Sequence, residues 1–185
     1  RDRFMTEMSA LEILDKLVSF PTVSDRSNLE LIDWVEEYLN SFHIETYRKY
    51  NEDSNKASLF AHVGPQIEGG VVLSGHTDVV PVEGQDWDTD PWTLTEKNNK
   101  LYGRGSCDMK GFNALAIWAM VEGHKSNLKR PLQIALSYDE EVGCIGAPPM
   151  IDEMIKKLPK ASMVIVGEPS TMLAVTGHKG ALGFT

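Results

Sequence analysis

Cysteine is scarce: Cys107 and Cys144 are the only two in 185 residues. Two thiols cannot staple a disulfide scaffold, so that class is excluded and a reducing, cytoplasmic setting is expected. Basic charge is also short. The 18 Lys and Arg stand against 27 Asp and Glu, a formal net charge of −9. That balance excludes a non-specific nucleic-acid binder, which needs a basic footprint. No apolar run approaches the ~18 residues of a membrane span, so no membrane partner is expected. Residues 1–10 lack the apolar core of a secretory signal. Internal repeats and low-complexity segments are missing too. What is present is the composition of an ordinary globular domain, 42% hydrophobic and 24% charged, long enough for one sizeable core.

The chain is organised around Gly69 to Pro81. Val71 to Ser74 reads as a short buried strand between Gly69-Gly70 and Pro81. His76 and Asp78 then fall at the strand's end, where open α/β sheets place their chemistry. An aspartate beside a histidine can hold one ring nitrogen and leave the other for a metal. Alone, the pair also fits a turn residue next to a satisfied histidine, and the rest of the chain decides between the two.

Upstream, Ala10, Leu11, Leu14, Leu17 and Val18 mark a helix that ends before Pro21. Ser27 and Glu30 have the spacing of a capping box ahead of a second helix, whose apolar stripe is Leu31, Val35, Tyr38 and Phe42. Ile44 to Tyr50, and the alternating Ala57, Leu59, Ala61 and Val63, read as strands. Glu83 to Trp92 reads as a solvated loop, and Leu94 to Gly103 as a hairpin turning at Asn98-Asn99. Gly103-Arg104-Gly105 lacks the spacing and the Lys-Ser/Thr of a phosphate loop. Asp108 opens a helix from Met109 to about Gly123, and by itself fits an N-cap. Pro131 to Tyr138 and Ser162 to Val166 read as further buried strands, with a helix between them after Gly146 that Pro148-Pro149 weakens. Strand, helix, strand, helix, strand is the pattern of a parallel α/β sheet.

Three strands therefore end in polar residues along one edge: His76 with Asp78, Glu140 with Glu141, and Glu168, with Asp108 opening the helix between. Two carboxylates ~4 Å apart repel by about 4 kcal/mol at an effective dielectric near 20. Protons, arginines or metal ions must hold such a cluster, and a His/Asp/Glu set suits zinc, cobalt or manganese.

These residues resemble a known family. Ser74-Gly-His-Thr-Asp-Val-Val-Pro81, Tyr102-Gly-Arg-Gly-Ser-Cys-Asp-Met-Lys-Gly111, Asp139-Glu-Glu141 and Gly167-Glu-Pro169 are similar to the motifs of the dinuclear-zinc amidohydrolases. That family holds acetylornithine deacetylase, succinyl-diaminopimelate desuccinylase, aminoacylase and glutamate-type carboxypeptidases. Asp90-Pro-Trp-Thr-Leu-Thr-Glu96 and Gly177-His-Lys-Gly180 look closest to the acetylornithine deacetylase branch. The resemblance implies an α/β three-layer sandwich with a largely parallel central sheet and helices on both faces. It implies that residues 1–176 form the N-terminal part of the catalytic domain, and that 177–185 begin a lid and dimerisation domain. Asp108 would bridge two zinc ions, with cobalt as a substitute. His76 and Glu168 would complete one site, Glu141 would bind the other ion, Asp78 would orient His76, and Glu140 would be the general base. The Asp108–Met109 bond would be cis. The implied substrate is a small N-acyl amino acid, with N-acetylornithine in arginine biosynthesis the first candidate and a desuccinylase or peptidase activity the variant. The whole protein would be a homodimer. Cys107 and Cys144 would be small packing residues rather than ligands.

Relatives of this kind are longer, and their second zinc takes a histidine from late in the chain. Here His43, His62 and His124 sit in ordinary contexts, and His178 lies in the segment that crosses between domains. The expectation is an N-terminal piece of an enzyme with one ligand missing, and so with little activity by itself. The competing reading is a non-catalytic metal-binding or interaction module. Glu140 favours the enzyme, because a pure metal binder has no use for a free base.

Overall fold

The computed structural model describes residues 5–177. Of the Gly177-to-Gly180 motif and the expected lid segment, all but Gly177 lie outside them, His178 included. The element order is α1 (Ala10–Val18), α2 (Leu29–Ser41), β1 (Thr46–Tyr50), β2 (Ala57–Val63), β3 (Val71–His76), β4 (Thr95–Lys97), β5 (Lys100–Tyr102), α3 (Lys110–Lys125), β6 (Leu132–Ser137), α4 (Ala147–Lys157) and β7 (Met163–Val166).

Five strands form one sheet in the order β1-β2-β6-β3-β7. β3 pairs in parallel with β6 and with β7, whereas β2 runs antiparallel to both β1 and β6. The sheet is therefore mixed, and its parallel half carries the three polar strand ends.

Alternation on the strands builds two cores. Leu59, Ala61 and Val63 of β2 and Ile134 and Leu136 of β6 join the buried faces of α1, α2 and α3. Phe60, Val72 and Ala135 face the other way and pack with Met150 of α4 and Leu158. Three helices on one face and one on the other give the expected three layers. No helix of the described residues is long and apolar enough to cross a membrane.

Local chemistry explains most of the boundaries. α1 starts at a full capping box, in which the Ser9 hydroxyl accepts from the Glu12 amide and the Glu12 carboxylate accepts from the Ser9 amide. The box expected at Ser27 and Glu30 does not form. The N-cap of α2 is Asn28, and Ser27 Oγ accepts only from Leu29 N, at 3.2 Å. The Asn28 side chain is used elsewhere: its Nδ2 donates to Ala57 O and Thr77 Oγ1, and its Oδ1 accepts from Ala57 N. Pro148 and Pro149 fall in the first turn of α4, where their missing N–H groups have no intrahelical partner anyway. They do not weaken the helix. Asn98 and Asn99, at φ of 55° and 56°, make the β4–β5 turn in the left-handed conformation that tight hairpins require. Gly70 enters β3 at φ 82°, and a Cβ there would stand 2.0 Å from the Pro131 carbonyl oxygen.

β7 corrects one expectation. It is apolar but not buried: Met163, Val164, Ile165 and Val166 are all exposed, between 43% and 59%. β7 lies at the sheet edge, and no described element packs over it.

Candidate metal centre

β3 sits between β6 and β7, so its end is the centre of the polar edge. Gly75 allows α3 to come close. A Cβ on Gly75 would lie 2.1 Å from Asn113 Oδ1 and 2.8 Å from Met109 Cε. α3 in turn fixes the backbone of His76: Asn113 Nδ2 donates to His76 O at 2.6 Å, and His76 N donates to Met109 Sδ at 3.4 Å. Gly75→Ala is therefore expected to overpack this contact and to destabilise the chain by about 1–3 kcal/mol. Chemical denaturation would measure the loss, and an unchanged midpoint would mean that α3 can withdraw freely.

The His76 ring is 1% exposed. Its Nδ1 lies 2.8 Å from Asp78 O and 3.4 Å from Asp78 Oδ1. Both are acceptors, so Nδ1 carries a hydrogen, and Nε2 is the ring nitrogen turned toward the open side. The carbonyl makes the hydrogen bond; the carboxylate contributes charge. Around Nε2 stand three carboxylates: Asp108 at 3.1 Å, Glu168 at 3.7 Å and Glu140 at 3.9 Å. Ligand atoms of His76, Asp108 and Glu168 all lie within 4.8 Å of one another. Asp108 and Glu168 are 47% and 43% exposed, so the trio opens to solvent above a buried imidazole.

The N-cap reading of Asp108 fails. Met109 occupies that position and makes no side-chain cap, while Asp108 turns toward His76. The Asp108–Met109 bond is cis, as the resemblance implies. Glu141 stands outside the trio.

Electrostatics follow from this crowding. Burial alone would push the His76 pKa down, but the Asp78 and Glu168 charges raise it to about 9. Burial pushes Glu168 up, His76 pulls it back, and repulsion from Asp108 and Glu140 leaves it above the usual carboxyl range. Burial and the Asp108 charge raise Glu141. Asp78 goes the other way. Burial would raise it, but the His76 ring beside it and the bonds from the Ser24 hydroxyl and the Glu140 amide hold it low.

The Asp78 carboxylate also ties down the neighbouring backbone. Its Oδ1 accepts from Glu140 N and its Oδ2 from Glu141 N and from Ser24 Oγ. Ser24 and Asn113 lie outside every motif, and Lys110 lies within Tyr102–Gly111 with no role assigned to it there. Lys110 is fully buried, and its ammonium donates to Phe20 O at 2.6 Å. Burial lowers its pKa to about 7.

The cysteines are not packing residues: both are exposed and free, and the Cys144 thiol donates to Glu140 Oε1 at 3.4 Å. His62 pairs with Gln133 at the opposite end of the ladder, and His124 lies in the last turn of α3, so neither reaches the trio.

One imidazole and two or three oxygens with an open side match a divalent metal of borderline character. Burial first, and then repulsion among the neighbouring carboxylates, raises Glu168 and Glu141, and a cation bound there would relieve the repulsion.

The fold is that of a hydrolase scaffold, and this cluster is a candidate metal-binding group at the end of its central strand. The chain belongs to peptidase family M20/M25/M40, whose sequence profile matches residues 72–178. Metallopeptidases of that family are metal-dependent hydrolases. Among curated relatives it is similar to the acetylornithine deacetylase of Pasteurella multocida (strain Pm70), 37% identical over 182 residues, or 95% of this chain and 47% of that protein. The acetylornithine deacetylase of Buchnera aphidicola subsp. Schizaphis graminum (strain Sg) is 35% identical over 183 residues, covering 96% and 47%. The chain thus spans about half the length of the curated relatives it matches. Its fold is similar to that of an M20 family metallo-carboxypeptidase from Sulfolobus solfataricus, with TM-score 0.75, 21% identity, and 87% and 37% of the two chains covered. Human carnosine dipeptidase 1 gives 0.70 and 21%, covering 85% and 37%.

Proposed function

We propose that this chain is the metal-binding half of a zinc-dependent amidohydrolase that removes the acyl group of an N-acyl amino acid, with N-acetylornithine the favoured substrate. The observation that carries the reading is the trio of His76, Asp108 and Glu168, with Glu140 at its rim. The substrate assignment leans on relatives named acetylornithine deacetylase at 32–37% identity.

His76 Nε2, Asp108 and Glu168 would hold one ion, and Asp108 with Glu141 a second. Bound metal supplies Lewis acidity toward the amide carbonyl and makes water acidic enough to attack at neutral pH. Glu140 is the one carboxylate at the rim left free for proton transfer. It takes the proton of the attacking water and delivers it to the departing amine, typically worth ~10²–10⁴-fold. Asp78 keeps Nδ1 protonated, so Nε2 stays available for the ion. Cobalt would serve in place of zinc.

Because the chain spans half of its relatives, the assay uses a hybrid in which it is continued by the second half of the Pasteurella multocida protein. The hybrid is expected to deacetylate N-acetylornithine faster than it cleaves N-succinyl-diaminopimelate or a dipeptide. Glu140→Gln is expected to cost ~10²–10⁴-fold in kcat with zinc content unchanged. Preferred dipeptide cleavage would replace the deacetylase reading with a peptidase one. A Glu140→Gln hybrid at full rate would remove Glu140 from the mechanism. The 185 residues alone are expected to take up one zinc tightly and to turn over near background, since the second pair, Asp108 and Glu141, has no imidazole.

A further inference from the structure

Lys56 closes a ring of contacts around the candidate base. Its ammonium donates to Ser24 O at 2.6 Å and to Asp139 Oδ1 and Oδ2 at 2.6 and 2.8 Å, which uses all three of its donors. Both side chains of the ion pair are only 13% exposed. Asp139 holds φ 57°, a left-handed conformation uncommon outside glycine, and the next two residues are Glu140 and Glu141. Their amides donate to the Asp78 carboxylate, which also accepts from the Ser24 hydroxyl. The path runs from Lys56 to Asp139, along the backbone to Glu140 and Glu141, to Asp78, to Ser24, and back to Lys56.

We infer that Lys56 is a positioning residue for the metal centre: through Asp139 it sets the backbone that presents Glu140 and Glu141, and through Asp78 it keeps that backbone in register with His76. This rests on the metal-centre reading above. An ion pair that merely added stability could end on any part of the core. This one ends on the residue before the base, and its other branch ends on the segment that anchors the histidine's own partner. The loop from 139 to 146 is otherwise closed mainly on itself. Gly143 N and Cys144 N donate to Glu140 O, Ile145 N to Asp139 O, and Gly146 N to Tyr138 O. Those bonds shape the loop without fixing where it stands relative to β3. Asp139 and the two amides on Asp78 fix that.

The test compares the chain with Lys56→Met, Asp139→Asn and the double variant. Amide hydrogen exchange is read at Glu140 and Glu141, cobalt(II) affinity by visible absorption, and the melting temperature in EDTA. Lys56→Met leaves a carboxylate without its partner, so lower overall stability is expected. The double variant carries no unpaired charge and is expected to melt near the unaltered chain. In it, exchange at Glu140 and Glu141 is still expected to rise about tenfold while β2 and β6 stay protected. Its cobalt affinity is expected to fall about tenfold, the lower end of what outer partners of metal ligands contribute. Adding Lys56→Met to Asp139→Asn should change both readouts by less than Lys56→Met does alone, because the Asp139 branch is already cut and only the Ser24 branch is left to lose. Unchanged exchange at Glu140 and Glu141, or cobalt affinity equal to that of the unaltered chain, would overturn the inference. If the unaltered chain takes up no cobalt, the metal-centre reading fails by itself, and the exchange arm still decides whether Lys56 fixes the loop.

Discussion

Saturating zinc is expected to raise the melting temperature of the 185-residue chain by about 10 °C, and His76→Ala is expected to erase that rise. A ligand at ~1,000 times its dissociation constant stabilises the folded state by about 4 kcal/mol. In a domain near this size each kcal/mol moves the midpoint by about 2–4 °C. His76 supplies the only nitrogen among the clustered donors, so without it the ion meets bare carboxylates. The pH dependence has a defined sign. The His76 pKa is raised from 6.5 to about 9 in the fold. A raised pKa stabilises the folded chain fully below the unfolded value, and that contribution is lost as pH climbs through the folded one. The chain in EDTA should therefore lose stability between pH 6.5 and 9. Zinc competes with the proton on Nε2, so its stabilising shift should grow over the same window. Differential scanning calorimetry with zinc and with EDTA, at three pH values, measures all of this. A zinc shift that survives in His76→Ala, or that ignores pH, would place the ion elsewhere.

Asn28→Ala is expected to be the most damaging single truncation outside the apolar core, at about 3–5 kcal/mol. Asn28 is 2% exposed, and its amide satisfies both the N–H and the C=O of Ala57 while also reaching Thr77. Alanine leaves two backbone groups without partners in a dry place, each costing about 1–3 kcal/mol. Thr77 keeps its own bond to Ser137 O, so it adds little. Against a typical total of about 5–15 kcal/mol, a loss of that size removes a large part of the margin. Ser27→Ala is the control. Ser27 is exposed and holds one amide, so a change within about 0.5 kcal/mol is expected. Urea midpoints for the two variants decide the matter; equal midpoints would mean that water replaces Asn28.

Those two residues also show where sequence reading works and where it stops. Ser27 and Glu30 have the right spacing for a cap, and so do Ser9 and Glu12, but only the second pair makes one. Spacing states that a cap is possible. Whether it forms depends on where the helix is held, and Asn28 is held by Ala57, 29 residues away. The Asn98-Asn99 turn was legible because it depends on its own residues. The edge of the site was legible for a similar reason: an apolar run followed by His or Glu marks a strand end whatever lies beside it. Ser24 with Asp78 and Lys56 with Asp139 join residues 54 and 83 positions apart, and no local pattern announces them. β7 failed differently. Its four apolar residues show that it is a strand, but burial depends on what lies beside and above it, and its edge position decides that.

The parallel pairing of β3 also sets a schedule for synthesis. Val71 pairs with Leu132 of β6 and with Met163 of β7, both far downstream. On a ribosome, β3 emerges with neither neighbour yet made. At about 5–20 residues per second, the wait from His76 to Glu168 is about 5–20 s. Until β6 is made the apolar strand is exposed on both edges, and of the carboxylates that face the imidazole Asp108 comes first, Glu140 next and Glu168 last. The centre becomes competent as a late event, after β7 has closed onto β3.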